Sequence, residues 1–271
     1  MPELPEVETI VRALRARLGG LRLTEVTVRR SDLRRALPPD LPSRIRGRRW
    51  LGFRRRAKYA LVDLEGGDTL LFHLGMSGRL LLDAPPCGVH EHLTFSFEGG
   101  RILRFVDPRR FGLLDLWPTA SLADHPRLRG LGPEPLDPGF TPRVLAACLA
   151  GRRSPIKMAL LDQKLVAGIG NIYACEALFD AGIDPRRESA TLGPRRIARL
   201  AAALPRVLLR AIEAGGSSLR DYVGIDGTLG SFQNGFRVYD REGEPCPGCG
   251  TAIRRIVQSG RSTFFCPRCQ R

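Results

Sequence analysis

Four cysteines close to the C-terminus form two Cys-x2-Cys pairs, and no other feature of the sequence constrains the fold so strongly. Sixteen residues separate the pair Cys246 and Cys249 from the pair Cys266 and Cys269. Each pair places two thiolates on one knuckle, and two knuckles complete a tetrahedral site of the kind that holds structural zinc. Because four cysteine ligands leave no open position for water, we expect one structural Zn2+ that holds a β-hairpin and takes no part in chemistry.

The charge balance points to an anionic partner. Among 271 residues, 43 are Lys or Arg and 28 are Asp or Glu, which leaves a formal net charge of +15. Such a surplus is typical of proteins that bind nucleic acid or another anionic surface. The hydrophobic content of 43% is enough for a buried core, which excludes an intrinsically disordered chain. The sequence has no apolar run of membrane-spanning length and no signal-peptide pattern, so we expect a cytoplasmic protein with no membrane partner.

The N-terminal part of the sequence predicts one helix followed by many short strands. Apolar residues recur at helical spacing over residues 5–18. From Leu23 to Trp117 the sequence changes to short β-type runs, which Gly66-Gly67 and Gly99-Gly100 separate as hairpin turns. This spacing is typical of an antiparallel sandwich or barrel, and it places a first domain at residues 1–117.

The composition changes again after these strands. Residues 118–142 contain six prolines and no sustained periodicity, which indicates a linker. Helical patterns then follow, including a long one from Pro194 to Glu213, and they predict a mainly helical domain at residues 143–242. Residues 243–271 contain the cysteine pairs and form the last module.

The first residues of the chain offer a nucleophile. If Met1 is removed, Pro2 becomes a free secondary amine, and an α-amino group with a pKa of roughly 7.7–8.0 is partly neutral near pH 7. A neutral amine can attack a sugar C1′ with loss of the base, and the adjacent Glu3 can protonate the sugar ring oxygen and later relay protons. On its own such a start is commonplace, so its meaning depends on the rest of the chain.

Two of the three lysines in the chain are candidates for specific roles. Lys58 lies just after three arginines at the start of a strand, where like charges would favour loss of its proton, although the local sequence favours a solvated cation on a basic face. Lys157 precedes the Gly-rich segment 166–173, in which Asn171 is expected to cap a helix and backbone N–H groups can receive a phosphate. The alternative for this segment is an ordinary helical hairpin with a Gly-rich corner.

Two Gly-bearing turns, HLGMSG and DPRRFG, present apolar residues beside arginine. Met76 lies in the first turn, and Phe111 follows Arg109 and Arg110 in the second. Apolar side chains at such loop tips can wedge into a base stack, although Met and Phe next to strands usually belong to a core. Arg261 lies near the tip of the cysteine-bearing hairpin, where it would either reach DNA phosphate or simply be solvated.

Segments spread in order over the whole chain resemble the bacterial formamidopyrimidine-DNA glycosylase family. They are PELPEVE, RAKYALVDL, HLGMSGRL, DPRRFG, IKMALLDQKLVAGIGNIYACEALFDAGIDP and EPCPGCG with GRSTFFCPRCQR. The resemblance implies an α+β multidomain fold with an N-terminal antiparallel β-sandwich and flanking helices, a C-terminal helix–two-turn–helix domain and a zinc-finger β-hairpin. It also implies a bifunctional enzyme of base-excision repair. Such an enzyme is a DNA glycosylase for 8-oxoguanine and formamidopyrimidines and an abasic-site lyase that cuts the strand by β,δ-elimination.

The resemblance assigns catalytic roles by motif match. Pro2 would be the Schiff-base nucleophile and Glu3 the proton donor. Lys58 would assist β-elimination, and Arg261 in the zinc finger would assist δ-elimination.

The same resemblance assigns residues to DNA binding. Met76, Arg109 and Phe111 resemble the family's void-filling triad, which occupies the gap left by the extruded base. The other expected contacts are His90 and Arg152 with DNA, and Lys157 and Asn171 with phosphates around the flipped nucleotide. The loop within residues 217–235 would cap the extruded base, and its composition does not reveal the damage preference.

Three alternatives stay open at this point. The related endonuclease VIII type shares the initial Pro and Glu but prefers oxidised pyrimidines, whereas Leu4, Pro5, Met76 and the DPRRFG stretch resemble the purine-specific branch more closely. A non-catalytic zinc-ribbon protein would bind DNA for architecture or regulation. An RNA-binding zinc protein agrees with the charge but leaves the N-terminal motif unexplained. The partner we expect is damaged double-stranded DNA, bound by a monomer in the cytoplasm at the nucleoid.

Overall fold

The computed structural model describes residues 1–219 and 221–271, and the chain forms two compact units. The first unit comprises Met1–Arg129 and Ala214–Ser231, and the second comprises Gly130–Glu213 and Phe232–Arg271. These units group the chain differently from the limits expected at residues 117, 142 and 242. The segment Ala214–Ser231, expected within the helical domain, belongs to the first unit because Tyr222 and Ile225 are buried in its core.

The first unit is built on two antiparallel four-stranded sheets, which confirms the expected sandwich architecture. Its strands are β1 (Leu23–Val28), β2 (Trp50–Arg56), β3 (Tyr59–Leu64), β4 (Asp68–His73), β5 (Arg79–Leu82), β6 (Glu91–Phe97), β7 (Ile102–Val106) and β8 (Leu113–Pro118). Its helices are α1 (Leu4–Leu18) and α2 (Leu41–Ile45), with 3-10 turns at Gly88–His90, Glu98–Gly100 and Thr119–Asp124. One sheet has the strand order β1-β6-β7-β5, and the other has the order β2-β3-β4-β8.

Helix α1 forms where the apolar spacing predicted it and begins one residue earlier, at Leu4. Its buried face includes Val7, Ile10 and Leu14, which recur at the spacing of one helix face, and it packs on β2 and β3. The core beneath contains the indole of Trp50. The start of α1 is therefore fixed against the β2–β3 hairpin.

Glycine pairs form turns at the two predicted places. Gly66 and Gly67 join β3 to β4, and Gly99 and Gly100 join β6 to β7, all four with positive φ. The pairing of β3 with β4 runs without a register shift. The glycine pairs in the sequence therefore predicted the two hairpin turns at the positions where the structure has them.

The second unit is mainly helical and ends in a two-stranded hairpin. Its helices are α3 (Pro142–Leu149), α4 (Ile156–Leu161), α5 (Asn171–Ala181) and α6 (Pro194–Glu213), with 3-10 turns at Ser189–Thr191 and Phe232–Gly235. Strands β9 (Arg254–Gln258) and β10 (Arg261–Phe265) pair antiparallel and form the hairpin.

Helix α4 ends at Leu161, although the apolar pattern continues to Val166. The reason is a side chain that replaces helical hydrogen bonds. The Gln163 amide donates to the carbonyls of Leu161 and Ile169, and its oxygen accepts the Gly168 N–H. Asn171 is also placed differently from expectation, because Gly170 is the N-cap of α5 and Asn171 is its first residue.

The zinc-finger segment packs on α5. Cys175 and Phe179 share a small core with apolar residues and cysteines of this segment. The buried Glu176 carboxylate accepts three consecutive backbone N–H groups, those of residues 237–239, at 2.9–3.2 Å. The finger is thus joined to α5 by packing, and the residues just before it are joined to α5 by hydrogen bonds.

Among the helices that the structure describes, none combines the length and apolarity that a membrane crossing needs.

Candidate active site and zinc centre

The residues at the start of α1 are held by a reciprocal pair of hydrogen bonds. Glu3 is the N-cap residue, its side chain accepts the backbone N–H of Glu6, and the Glu6 carboxylate accepts the Glu3 N–H at 2.8 Å. This capping box leaves Pro2 and Glu3 buried, with Glu3 only 4% exposed. The candidate nucleophile and proton donor therefore occupy a fixed position beside the helix.

The segment Ala214–Ser231 is bonded to the same glutamate. The second oxygen of Glu6 accepts the backbone N–H of Ser217 at 2.8 Å. Gly216, at φ +85°, lies so close that an added Cβ would stand 3.0 Å from Glu6 Oε1 and 3.0 Å from the ring of Tyr222. Burial raises the pKa of Tyr222, and the negative charge of Glu6 raises it further. The hydroxyl therefore stays protonated, and it donates to the carbonyl of Gly215.

Sequence reasoning did not single out Glu6, Ser217 or Tyr222. The Glu-x-x-Glu spacing of Glu3 and Glu6 is a capping-box pattern and could have indicated the first of them. The other two are brought to Glu6 by a contact across more than 200 positions, for which the sequence carries no local signal.

Lys58 is buried at the β2–β3 turn, with 6% of its surface exposed, so it is not the solvated cation that the local sequence favoured. The turn is clamped by Arg55, whose guanidinium donates to the Ala57 carbonyl at 3.0 Å and pairs with Glu8 of α1 at 3.0 Å. Burial alone would raise the pKa of Glu8, but Arg12 and Arg55 outweigh it and the pKa is lowered. The pair thus ties the turn that carries Lys58 to the same helix that carries Glu3.

His73, at the end of β4, lies in a cationic environment that sequence reasoning also missed. Its Nδ1 accepts the N–H of Gly75 at 3.1 Å, which places the proton of the neutral ring on Nε2. Burial is the main cause that lowers the pKa of His73 to about 4, and the positive charges of Lys58, Arg34 and Arg127 add to it. The ring is therefore neutral near pH 7.

The two Gly-bearing turns are joined by the carboxylate of Asp107. This buried side chain accepts the Ser77 hydroxyl at 2.6 Å and the Gly112 N–H at 2.7 Å. An added Cβ at Gly75 would stand 2.4 Å from the backbone of Phe111, so the turns approach as closely as two backbones can. Met76 and Phe111 are consequently carried by two turns whose backbones are in contact.

The proposed void-filling residues are exposed at these turns. Met76 is 40% and Phe111 is 42% exposed, and the Arg109 guanidinium lies 4.8 Å from the centre of the Phe111 ring. These apolar side chains are therefore not part of the core, which removes the simpler interpretation of the pattern. His90 is exposed as well, in the 3-10 turn before β6.

The remaining predicted residues lie in the second unit. Arg152 is exposed in the connection between α3 and α4, and Arg261 is exposed at the start of β10. The Asn171 amide donates to the Ser262 carbonyl at 3.0 Å. The side chain of Lys157, the other residue expected at a phosphate, is 0% exposed, and its ammonium donates to the Ser262 carbonyl and the Thr263 hydroxyl.

The four cysteines form a site for one structural zinc ion. Their Sγ atoms all lie within 4.8 Å of one another, with 3.8 Å between Cys246 and Cys269 and 3.5 Å between Cys249 and Cys266. A tetrahedron with Zn–S bonds of about 2.3 Å has S···S edges of about 3.8 Å, so the sulfurs are spaced for zinc. Backbone N–H groups of Gly248 and Cys269 point at two of the sulfurs at 3.4 Å and favour thiolates.

Three family models match consecutive parts of the chain. The formamidopyrimidine-DNA glycosylase N-terminal domain matches residues 1–114, and the formamidopyrimidine-DNA glycosylase H2TH domain matches residues 131–223. The zinc finger found in FPG and IleRS matches residues 243–271. Together these models cover most of the chain in the family's order.

Individual proteins agree with these matches. The formamidopyrimidine-DNA glycosylase of Cereibacter sphaeroides is 54% identical over 283 residues, with 100% of both chains covered. The crystal structure of the MutM (Fpg) protein of Thermus thermophilus has a TM-score of 0.89 at 44% identity and covers 99% of this chain and 98% of its own.

A third relative was solved with damaged DNA. A mutant of Lactococcus lactis Fpg in complex with Fapy-dG DNA matches this chain with a TM-score of 0.92 and 35% identity, and 100% of each chain is covered. The wild-type Lactococcus lactis Fpg in complex with oxidised-pyrimidine DNA matches with a TM-score of 0.90 and 35% identity, again with 100% of each chain covered. The sequence, the fold and the cysteine site therefore agree that this chain belongs to the formamidopyrimidine-DNA glycosylase family.

Proposed function

We propose that this chain removes 8-oxoguanine and formamidopyrimidines from damaged double-stranded DNA and then cuts the strand by β,δ-elimination through a Schiff base at Pro2. As a member of its family the chain is a DNA glycosylase of base-excision repair with a structural zinc finger. The proposal about substrate and mechanism rests on the start of α1. Pro2 and Glu3 are buried there, and Glu6 is hydrogen-bonded both to Glu3 and to Ser217 in the segment Ala214–Ser231.

The chemistry begins with an attack by the Pro2 nitrogen on C1′ of the damaged nucleotide. The bond between C1′ and the base breaks, the base leaves with the electron pair, and the proton that the Pro2 nitrogen loses balances the proton that the base takes up. Glu3 protonates the sugar ring oxygen as the ring opens, and C1′ and the proline nitrogen form an iminium ion.

The iminium ion is the electron sink for the two strand-cutting steps. Loss of a proton from C2′ breaks the C3′–O bond, which is β-elimination, and loss of a proton from C4′ then breaks the C5′–O bond, which is δ-elimination. Water finally hydrolyses the iminium and releases the sugar fragment and the amine. Lys58 is the proposed donor that assists the first elimination, and Arg261 assists the second.

DNA binding is proposed to use the exposed predicted residues. Met76, Arg109 and Phe111 fill the space left by the extruded base, which offsets part of the few kcal/mol that unstacking costs. His90 and Arg152 contact the DNA, and Asn171 contacts a phosphate. The protein acts as a monomer in the cytoplasm, where it associates with the nucleoid through DNA.

A second candidate substrate class is supported by a specific observation. Wild-type Lactococcus lactis Fpg was solved with oxidised-pyrimidine DNA, so this fold accommodates such a lesion. We place oxidised purines first because Fapy-dG also occurs in a complex of the same relative and because the Cereibacter sphaeroides relative bears the formamidopyrimidine name.

The test is a substrate panel. Purified protein is incubated with duplexes that contain 8-oxoguanine opposite cytosine, a formamidopyrimidine, an oxidised pyrimidine or an intact base, and base release and strand cleavage are measured separately. We expect the fastest release from the two purine lesions and cleavage products of both eliminations. Fastest release of the pyrimidine lesion would instead support the second candidate. Pro2→Gly is the control variant: unchanged activity on all duplexes would exclude chemistry at Pro2.

A further inference from the structure

The ammonium of Lys157 is enclosed by the second unit and is bonded to the zinc-finger hairpin. The side chain is 0% exposed, and Nζ donates to the Ser262 carbonyl at 2.8 Å and to the Thr263 hydroxyl at 2.7 Å. A buried ammonium is costly unless its protons are accepted by well-placed oxygens, and two residues of β10 supply them. The side chain leaves no exposed surface for a phosphate oxygen to contact.

These bonds are part of a network that reaches the tip of the hairpin. The Thr263 hydroxyl, which accepts from Lys157, donates to the side-chain oxygen of Gln258 at 3.0 Å. The Gln258 amide in turn donates to the Pro185 carbonyl at 3.3 Å. Gln258 pairs directly with Arg261 in the register of β9 and β10. Both strands are thus held at the positions next to Arg261.

An isolated two-stranded hairpin has little stability in water and needs support from outside to fix its tip. Arg261 itself is exposed, and the preceding turn is formed by Ser259 and Gly260, both at positive φ. The support comes from side chains that are bonded to β10. Lys157 provides it at the residue that follows Arg261, where Asn171 donates to the same carbonyl.

We infer that Lys157 is a positioning residue for Arg261 and makes no contact with DNA phosphate. Its ammonium holds the Ser262 carbonyl and the Thr263 hydroxyl and thereby sets the direction in which the Arg261 guanidinium extends. The inference rests on the proposed function, because it assigns Lys157 to the δ-elimination step that we ascribe to Arg261. A displacement of about 1 Å in a catalytic group can cost about 100-fold in rate, so loss of the anchor is expected to slow this step strongly.

The test compares Lys157→Met with Lys164→Met, which makes the same substitution at an exposed lysine of the same unit. Two quantities are measured for each: the salt dependence of affinity for a duplex with a stable abasic-site analogue, and the rates of β- and δ-elimination on an abasic duplex. For Lys157→Met we expect a salt slope equal to that of the original protein, a δ-elimination rate lower by about 10- to 100-fold and a smaller change in β-elimination. Lys164→Met is expected to leave both elimination rates unchanged.

A second variant keeps the test informative if Lys157→Met does not retain zinc. Thr263→Val removes one of the two oxygens that accept from Lys157 and keeps the shape of the side chain, and it should lower the δ-elimination rate in the same direction by a smaller factor. If the slope of log affinity against log salt concentration is smaller by about one in Lys157→Met, Lys157 contacts a phosphate and the inference is overturned. An unchanged ratio of δ- to β-elimination in both variants would overturn it too. Failure of the original protein to release any base would instead contradict the proposed function.

Discussion

At the scale of single residues, the first unit keeps several ionisable side chains buried around its proposed catalytic groups. Lys58 and His73 are close enough for the lysine charge to act on the imidazole, and the acidic partners Glu6 and Glu8 are bonded to backbone and arginine. Such an arrangement fixes the protonation state of each group and reduces its freedom to move. It also makes the stability of this unit depend on pH in a defined direction.

His73→Gln tests this dependence. The folded-state pKa of about 4 lies below the ordinary value of 6.5, so between these values the unfolded chain binds a proton at His73 that the folded chain does not. The folded state therefore loses stability as pH falls from 6.5 towards 4. Between pH 7 and pH 5 we expect the original protein to lose about 2 kcal/mol more free energy of unfolding than His73→Gln.

Urea unfolding followed by tryptophan fluorescence measures this difference. Trp50 and Trp117 are the two tryptophans of the chain and both lie in the first unit, so the signal reports on that unit. His90→Gln, at an exposed position, is the matched control and should follow the original protein. Parallel pH profiles for His73→Gln and the original protein would show that the imidazole is not held neutral.

At the scale of elements, the turns and the zinc-finger hairpin are rigid for different reasons. The turns that carry Met76 and Phe111 are joined by Asp107 and by the close backbone approach at Gly75. The apolar residues of the zinc finger share a small core with α5, and the hairpin is also bonded to Lys157. We therefore expect the hairpin to depend on the metal, on α5 and on Lys157. Loss of zinc should therefore affect the hairpin and leave the sandwich intact.

Cys249→Ser, or removal of zinc with a chelator, tests this separation. We expect affinity for damaged DNA to fall by at least about tenfold, because the finger carries Arg261 and further arginines, while unfolding of the first unit by tryptophan fluorescence stays unchanged. Cys87→Ser, a cysteine outside the pairs, serves as the control and should leave both quantities unchanged. A lowered unfolding midpoint of the first unit after zinc removal would contradict the prediction.

Features set by neighbouring residues could be predicted from the sequence. Helix α1, the glycine turns and the zinc site all depend on short-range spacing, and all three were found where the spacing placed them. The end of α4 at Leu161 does not follow from the apolar pattern, which continues to Val166, because the bonds of the Gln163 side chain are not revealed by periodicity.

Burial of charged residues could not be predicted in the same way. Lys58 and Lys157 lie in strongly basic sequence, and only contacts from distant segments show that both are enclosed. The bond between Glu6 and Ser217 and the bond between Lys157 and Ser262 each join residues more than 100 positions apart. Candidate residues could therefore be selected from the sequence, whereas the contacts that hold them became visible only in the fold.

At the scale of the whole molecule, the proposed catalytic residues are divided between the two compact units. Pro2, Glu3 and Lys58 belong to the first unit, and Arg261 belongs to the second. Base release and β-elimination are accordingly assigned to groups of the first unit, and the last step depends on the finger. All of these steps share one requirement, which is a covalent bond between the Pro2 nitrogen and C1′ of the sugar.

Borohydride trapping tests that requirement most directly. The protein is incubated with a duplex that contains 8-oxoguanine opposite cytosine, the iminium is reduced to a stable amine, and the peptide that carries the sugar is identified by mass spectrometry. We predict a covalent complex whose modified residue is Pro2, at the N-terminus left by removal of Met1. A complex at a lysine, or strand cleavage without any trapped complex on this duplex or on an abasic one, would contradict the account.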